Sequence, residues 1–292
     1  MPEIRPLHPL FAAEVVGLDL SRLDAALAET CFDLFDRYAV CVFRDSGLDD
    51  AAHVAFSRLF GELEHAPHIR GAQPRFPFPE LFDAGNLDAE GNIRMAERSR
   101  LFNKGNQQWH TDSSFRPERS SYSLLLAHLT PPSGADTQFA DMRAAYRELP
   151  DALRDRIQGL EAEHSIWHSR QLAGYPEPTE VELSLIPGAV QPLVLQHPRT
   201  GNPNLYLAKH ASHIVGMPRE EGGDLLSELI DFATQPRFVY SHQWREGDLV
   251  VWDNRCTMHR ATPFEDTVYP RDMRRTTVRD RPLGDPSVAA RV

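Results

Sequence analysis

The sequence predicts a mainly β chain with helical inserts, and three observations predict it. Proline is frequent, with 23 in 292 residues, and cuts the chain into short pieces. From Tyr122 onward, apolar runs of strand length are bounded by Pro and Gly. Strands and helices do not alternate, so a sandwich or barrel fits better than parallel αβα layering. The length is ample for a sizeable core, and we read 1–292 as one domain, with N-terminal helices over 1–65 and a β core over about 66–280.

The elements follow in order. Residues 21–38 carry Leu23, Leu27, Cys31, Leu34 and Tyr38 at helical spacing behind a serine cap. Val40–Phe43 reads as a buried strand. Residues 49–60 form a short helix that Gly61 stops. Ala89, Glu90, Gly91 and Asn92 read as a hairpin turn, and the polar stretch 94–106 as a mobile loop. Strands are expected at 123–128, 137–139, 191–195, 205–208, 238–242, 248–252 and 274–278. Helical inserts are expected at about 142–160 and 220–233.

Charge and cysteine usage exclude several classes. With 31 basic and 42 acidic residues the net charge is −11, so neither nucleic acid nor an anionic membrane is an expected partner. No apolar run approaches the roughly 20 residues a membrane helix needs. Cys31, Cys41 and Cys256 are odd in number and widely spaced, which argues against a disulfide scaffold or thiolate zinc site. The start of the chain does not read as a signal peptide, so a reducing cytoplasm is the expected location.

The chemistry starts from QQWHTDSSF, residues 107–115. His110 and Asp112 are two apart, which in a strand sends both side chains to one face. HxD alone is more often not a metal site, and a third ligand is required. Of the 13 histidines our choice is His259, in GDLVVWDNRCTMHR, where a short strand ends in a turn and delivers it just beyond. Two imidazoles and one carboxylate with open positions mark non-haem Fe(II) oxygenases. His210 with His213, and His65 with His68, have spacings that a metal on a helix could use. No carboxylate is in register with either pair, so we read them as structural or substrate-side.

QQWHTDSSF, then PPSGADTQFADMRAAY, then WDNRCTMHR, then RDMRRTT resemble, in order, the taurine dioxygenase/2,4-dichlorophenoxyacetate dioxygenase family. PLHPLFAAEV, FADMRAAY and KHASH are similar to the phenoxyacetate branch. The resemblance implies a double-stranded β-helix (jelly-roll) core, Fe(II), 2-oxoglutarate and O₂ as cofactors and cosubstrates, and a homo-oligomer, dimer or higher. It implies that His110, Asp112 and His259 ligate iron. It matches Thr137 and Arg271 to the residues holding the distal carboxylate of 2-oxoglutarate, and Arg275 to a second arginine facing the substrate. The segment from His259 to Arg271 is one residue longer than the family pattern, which leaves Arg274 or Arg275 as alternatives. Alternation along a strand would put Arg271 and Arg275 on one face and Arg274 on the other.

The implied reaction is hydroxylation of a small anionic organic substrate with release of succinate and CO₂. An aryloxyalkanoate would then lose its ether bond through a hemiacetal. Arg275, Asn106 and Arg70 are the candidate substrate contacts; Trp109, Phe115 and Trp252 are either pocket wall or plain core. Three rivals remain: a taurine, alkylsulfonate or alkylsulfate dioxygenase or a biosynthetic hydroxylase of another carboxylic acid; a zinc or manganese hydrolase; and a non-catalytic binding protein.

Overall fold

The computed structural model describes residues 2–66 and 75–281. In chain order the elements are β1 (Glu3–Pro6), β2 (Ala13–Val16), α1 (Ala25–Tyr38), β3 (Val40–Phe43), α2 (Asp50–Arg58), β4 (Phe82–Asp83) and α3 (Glu97–Lys104). There follow β5 (Ser120–Leu129), β6 (Thr137–Asp141), α4 (Met142–Glu148), α5 (Asp151–Arg156), β7 (Glu161–His164), α6 (Ile166–Leu172), α7 (Glu180–Leu185) and β8 (Ala189–Pro192). The last are β9 (Val194–Gln196), β10 (Pro203–Leu205), β11 (Ala211–Ile214), α8 (Arg219–Ala233), β12 (Val239–His242), β13 (Leu249–Asp253), β14 (Thr257–Ala261) and β15 (Asp272–Arg279). Strands with helices between them dominate, as the sequence predicts.

A seven-stranded sheet runs β1-β2-β3-β13-β5-β15-β4, with β2 and β3 parallel and every other pair antiparallel. A three-stranded sheet, β12-β6-β14, is antiparallel. The large sheet is buried on both sides, and the period of two sorts its residues. Cys41, Phe43, Leu124, Leu126, Leu249 and Val251 share a core with Leu27, Leu34 and Phe35 of α1 and Val54 and Phe56 of α2. Val40, Val42, Leu125, Ala127, Val250, Trp252 and Met273 share another with Phe139 of β6. The smaller sheet turns Ala140 and Met258 the other way, among Met142 of α4 and Leu225 and Leu229 of α8. The space between the two sheets is where the candidate residues meet.

Several local expectations shift. α1 starts at Ala25 because the Asp24 carboxylate accepts from the Leu27 N–H, so Ser21 is not the cap. Residues 1–65 hold the two expected helices but also β1, β2 and β3, which join the large sheet. The hairpin turn before residue 94 forms: Leu87 bridges Ile93, and Gly91 takes a left-handed φ of 86°. The loop expected at 94–106 is instead helix α3, pinned by Arg98 on Glu182 and Arg100 on Asp266. The insert at 142–160 is two helices broken at Pro150. The strand expected at 191–195 is split into β8 and β9, and that at 205–208 ends at Leu205. His213 lies in β11, so a helical His210/His213 pair does not exist.

Candidate active site

His110 is not in a named strand. It forms one antiparallel bridge with His259, which lies in β14 rather than just beyond a strand. The bridge is reciprocal: His110 N–H donates to the His259 carbonyl at 2.9 Å, and His259 N–H to the His110 carbonyl at 2.8 Å. Two residues later the chain turns, with Ser113 at φ 55°. The turn swings the Asp112 carboxylate under both rings. Asp112 Oδ1 lies 3.9 Å from His110 Nε2, and Oδ2 lies 3.7 Å from His259 Nε2. All three residues are buried, and their ligating atoms lie within 4.8 Å of one another.

Neighbours fix each ligand. His110 Nδ1 donates to the Gln108 carbonyl at 2.8 Å, which leaves the Nε2 lone pair facing the centre. His259 packs against Trp252, centroids 4.7 Å apart, and Phe139, 6.1 Å. Asp112 Oδ2 accepts from Ser123 Oγ at 2.8 Å, and Arg275 Nη1 donates to Oδ1. Asn254 accepts the Asp112 N–H at 3.3 Å and the Trp252 indole N–H at 2.9 Å, and donates to Ser123 Oγ at 2.9 Å.

Protonation states suit a divalent cation. Burial pushes the His110 imidazolium down to about 4 and His259 well below its ordinary value, so both are neutral near pH 7. Burial alone would raise Asp112, but Arg275, His259 and His110 outweigh it and hold the carboxyl at about 2. The result is an anion and two neutral nitrogen donors converging on one point. That donor set fits Fe(II).

Beside it lies a cavity of about 460 Å³, lined by His110, Asp112 and Arg275 at one end and by Phe76, Phe78, Phe82, Phe102 and Phe115 elsewhere. Asn106 lines it too, its Oδ1 accepting from Arg170 Nη2 at 2.8 Å. Arg271 is elsewhere: it lines a second pocket of about 340 Å³ with Trp244 and residues 130–136. Its guanidinium donates to the Ala84 carbonyl at 2.5 Å, and burial lowers it to about 10. Among the described residues no carboxylate pairs with it, so this buried guanidinium has the charge and donors to bind an anion. Thr137 lines neither cavity; its hydroxyl accepts from the Trp244 indole N–H at 3.0 Å, which links it to the Arg271 pocket.

Of the alternative arginines, Arg274 pairs with Asp50 and Asp272, while Arg275 is spent on Asp112. Arg271 and Arg275 line different pockets; Arg271 precedes β15, whose register shifts between Asp272 and Met273, so strand alternation does not relate the two. Arg70 and His68 lie outside the described residues. His65 is not a member of the His110, Asp112 and His259 cluster. Sequence reasoning missed Arg170, Trp244, Ser123 and Asn254. Only Asn254, in the turn before His259, carried a signal.

Comparison with known proteins agrees with this geometry. The model of the family "Taurine catabolism dioxygenase TauD, TfdA family" matches residues 3–277. The alpha-ketoglutarate-dependent 2,4-dichlorophenoxyacetate dioxygenase of Burkholderia sp. (strain RASC) is 43% identical over 278 residues, 94% of this chain and 93% of that one. The (S)-phenoxypropionate/alpha-ketoglutarate-dioxygenase of Sphingobium herbicidovorans is 35% identical, covering 98% of this chain and 96% of its own. Among solved structures, AAD-2 in complex with Mn(II) and N-oxalylglycine superposes with a TM-score of 0.92 at 41% identity, over 97% of this chain and 99% of that one.

Proposed function

The chain belongs to the TauD/TfdA dioxygenase family, and from that premise we propose that it is an Fe(II)/2-oxoglutarate-dependent dioxygenase that hydroxylates an aryloxyalkanoate beside its ether oxygen. The observation that carries the substrate reading is the lining of the larger cavity: five phenylalanines for a ring, and the Arg275 guanidinium beside Asp112 for a carboxylate.

His110, Asp112 and His259 would hold the iron. When bound, iron with 2-oxoglutarate and O₂ supplies C–H hydroxylation, with succinate and CO₂ as co-products. Arg271 takes the distal carboxylate of 2-oxoglutarate with a forked pair of N–H donors, and Thr137, oriented by Trp244, adds a hydroxyl. Arg275 sits where it can exchange Asp112 for the substrate carboxylate and so holds the adjacent carbon toward the metal. Asn106 presents its amide beside the substrate, with its oxygen tied back to Arg170. The five phenylalanines exclude water around the ring. Hydroxyl placed on the carbon between ether oxygen and carboxylate makes a hemiacetal. The hydroxyl proton leaves, the C–O bond to the ring oxygen breaks, and a phenol and a 2-oxo acid separate.

In the same reading the two facing sheets form the double-stranded β-helix core of one domain over 1–292. The protein works in the cytoplasm as a homo-oligomer. Within the described residues no helix is long and apolar enough to cross a membrane.

The test is O₂-dependent succinate and phenol release from phenoxyacetates and phenoxypropionates, against taurine and alkyl sulfates. We expect stimulation by the aryloxyalkanoates. Asp112→Ala should lose at least about 100-fold, more than loss of an outer-shell partner costs. Sulfite or sulfate release in place of phenol would reject the substrate class. Absence of succinate from iron-loaded protein would reject the reaction.

A further inference from the structure

The residues after β4 grip the start of β15. Ala84 O receives Arg271 Nη1, and Ala84 N–H donates to the Met273 carbonyl at 2.9 Å. Asn86 N–H donates to the Arg271 carbonyl at 3.0 Å, while Arg271 N–H donates to Asn86 Oδ1 at 2.7 Å. The Asn86 amide nitrogen donates to the Asp266 carbonyl at 2.8 Å and the Tyr269 carbonyl at 3.0 Å. Asn86 is 7% exposed, and every polar atom of its side chain is used. Gly85, between them, has no room for a side chain: a Cβ there would collide with the Arg271 carbonyl oxygen.

This arrangement ties down the segment before Arg271, which is one residue longer than the family pattern. Asn86 catches two carbonyls of that segment and both backbone groups of Arg271 at once. Only a short side chain with one acceptor and two donors fits all of these partners. Aspartate would face two carbonyls with an oxygen, and alanine would leave three groups unpaired: the Arg271 N–H and the Asp266 and Tyr269 carbonyls. Neither Gly85 nor Asn86 belongs to the metal-ligand cluster or lines the larger cavity.

We propose that Asn86 is the positioning residue of the 2-oxoglutarate site, fixing the Arg271 backbone so that its guanidinium is held ready for the distal carboxylate. This rests on reading Arg271 as the cosubstrate arginine. Its effect must therefore be confined to ligands with that carboxylate.

The experiment is calorimetric titration of Mn(II)-loaded protein with 2-oxoglutarate and with 2-oxobutyrate, which lacks the distal carboxylate. Asn86→Asp should weaken 2-oxoglutarate by about tenfold, the equivalent of one misplaced charge-assisted hydrogen bond. It should leave 2-oxobutyrate binding as it is. Arg271→Ala should remove the preference for 2-oxoglutarate, and adding Asn86→Asp to it should cost nothing further. Gly85→Ala, which pushes on the same carbonyl, should reproduce the split and serves if Asn86→Asp does not fold. Equal weakening of both keto acids, an unchanged 2-oxoglutarate affinity, or a further loss on the Arg271→Ala background would overturn the role of Asn86. If Arg271→Ala binds 2-oxoglutarate as the parent does, it is the reading of Arg271 that fails.

Discussion

His110, Asp112 and His259 on one side, and His197, Asp253 and Cys256 on the other, each bring three ligating atoms within 4.8 Å of one another in buried surroundings. By residue type and spacing both could hold a cation. They differ in how much of each set is already spent. His197 Nε2 donates to Asp253 at 2.9 Å, and its Nδ1 accepts from the Thr200 N–H at 3.3 Å, so neither nitrogen is left over. Arg255 forks onto both oxygens of Asp253, at 2.9 and 2.6 Å, and also meets the Tyr122 hydroxyl at 2.6 Å. Burial, with Asp253 close by, holds the Cys256 thiol far above its ordinary range, so it offers no thiolate. In the first cluster both Nε2 atoms stay uncommitted, and the cation on Asp112 comes from the cavity side, one-fifth exposed and on one oxygen. Proximity assembles ligands; uncommitted lone pairs and an unsaturated charge make a site.

The largest test of that contrast exchanges the two losses. His259→Ala should abolish Mn(II) binding, by at least about 100-fold. Its stability cost should be limited to the packing lost against Trp252 and Phe139, since no ion pair with a buried counter-charge such as Arg255 is broken. Asp253→Asn should do the reverse. Breaking a buried ion pair from one side costs about 3–5 kcal/mol, while the metal titration stays as it is. Calorimetry and thermal melts of both variants read this directly. If Asp253→Asn binds metal poorly at unchanged stability, the two clusters have been assigned the wrong way round.

A milder test is pH. Protons compete with metal only for groups that take them up. The His110 imidazolium is depressed to about 4 and the Asp112 carboxyl to about 2, so both ligands remain deprotonated on acidification from pH 8. Mn(II) affinity should be flat down to about pH 5 and fall below it. An ordinary imidazole of pKa about 6.5 would start losing metal a unit or more earlier. The same shift bears on folding. The unfolded chain takes up protons near pH 6.5 that the folded site refuses until about 4, so metal-free protein loses stability as pH falls through that window. A metal affinity that already declines at pH 7 would mean the imidazoles are not buried as described.

Much of the first cluster was legible because its residue types sit close in sequence. HTD occupies three consecutive positions, and the family-like segment around His259 supplied the third ligand. The local geometry was less legible: the expected strand under HTD is one bridge and a turn, and His259 has a strand of its own. What the sequence hid is the set of non-local partners. The 94–106 stretch reads as a loop until Arg98 and Arg100 find acids 84 and 166 residues away. Asn86 looks like any hairpin asparagine, and its bond to Arg271 spans 185 positions. Trp244 and Arg170 have no local pattern at all. Periodicity reports which face of an element is buried, but not which distant residue will meet it.

The smallest expected effect closes the comparison from the other side. Cys256 is the residue of the second cluster that a metal would most need, and it does least in the fold: its thiol makes one long contact, 3.9 Å, to the Asp253 carbonyl. Cys256→Ala removes one buried sulfur and should cost about 1 kcal/mol, in the middle of the range for point substitutions. Metal stoichiometry should remain one Mn(II) per chain in the parent and in the variant. A thiol reagent should leave Cys256 unmodified in the folded protein, since a deeply buried, fully protonated thiol is a poor nucleophile. A parent that binds two ions per chain, falling to one in Cys256→Ala, would show that the Arg255 fork can be displaced and that saturation by internal partners does not close a site.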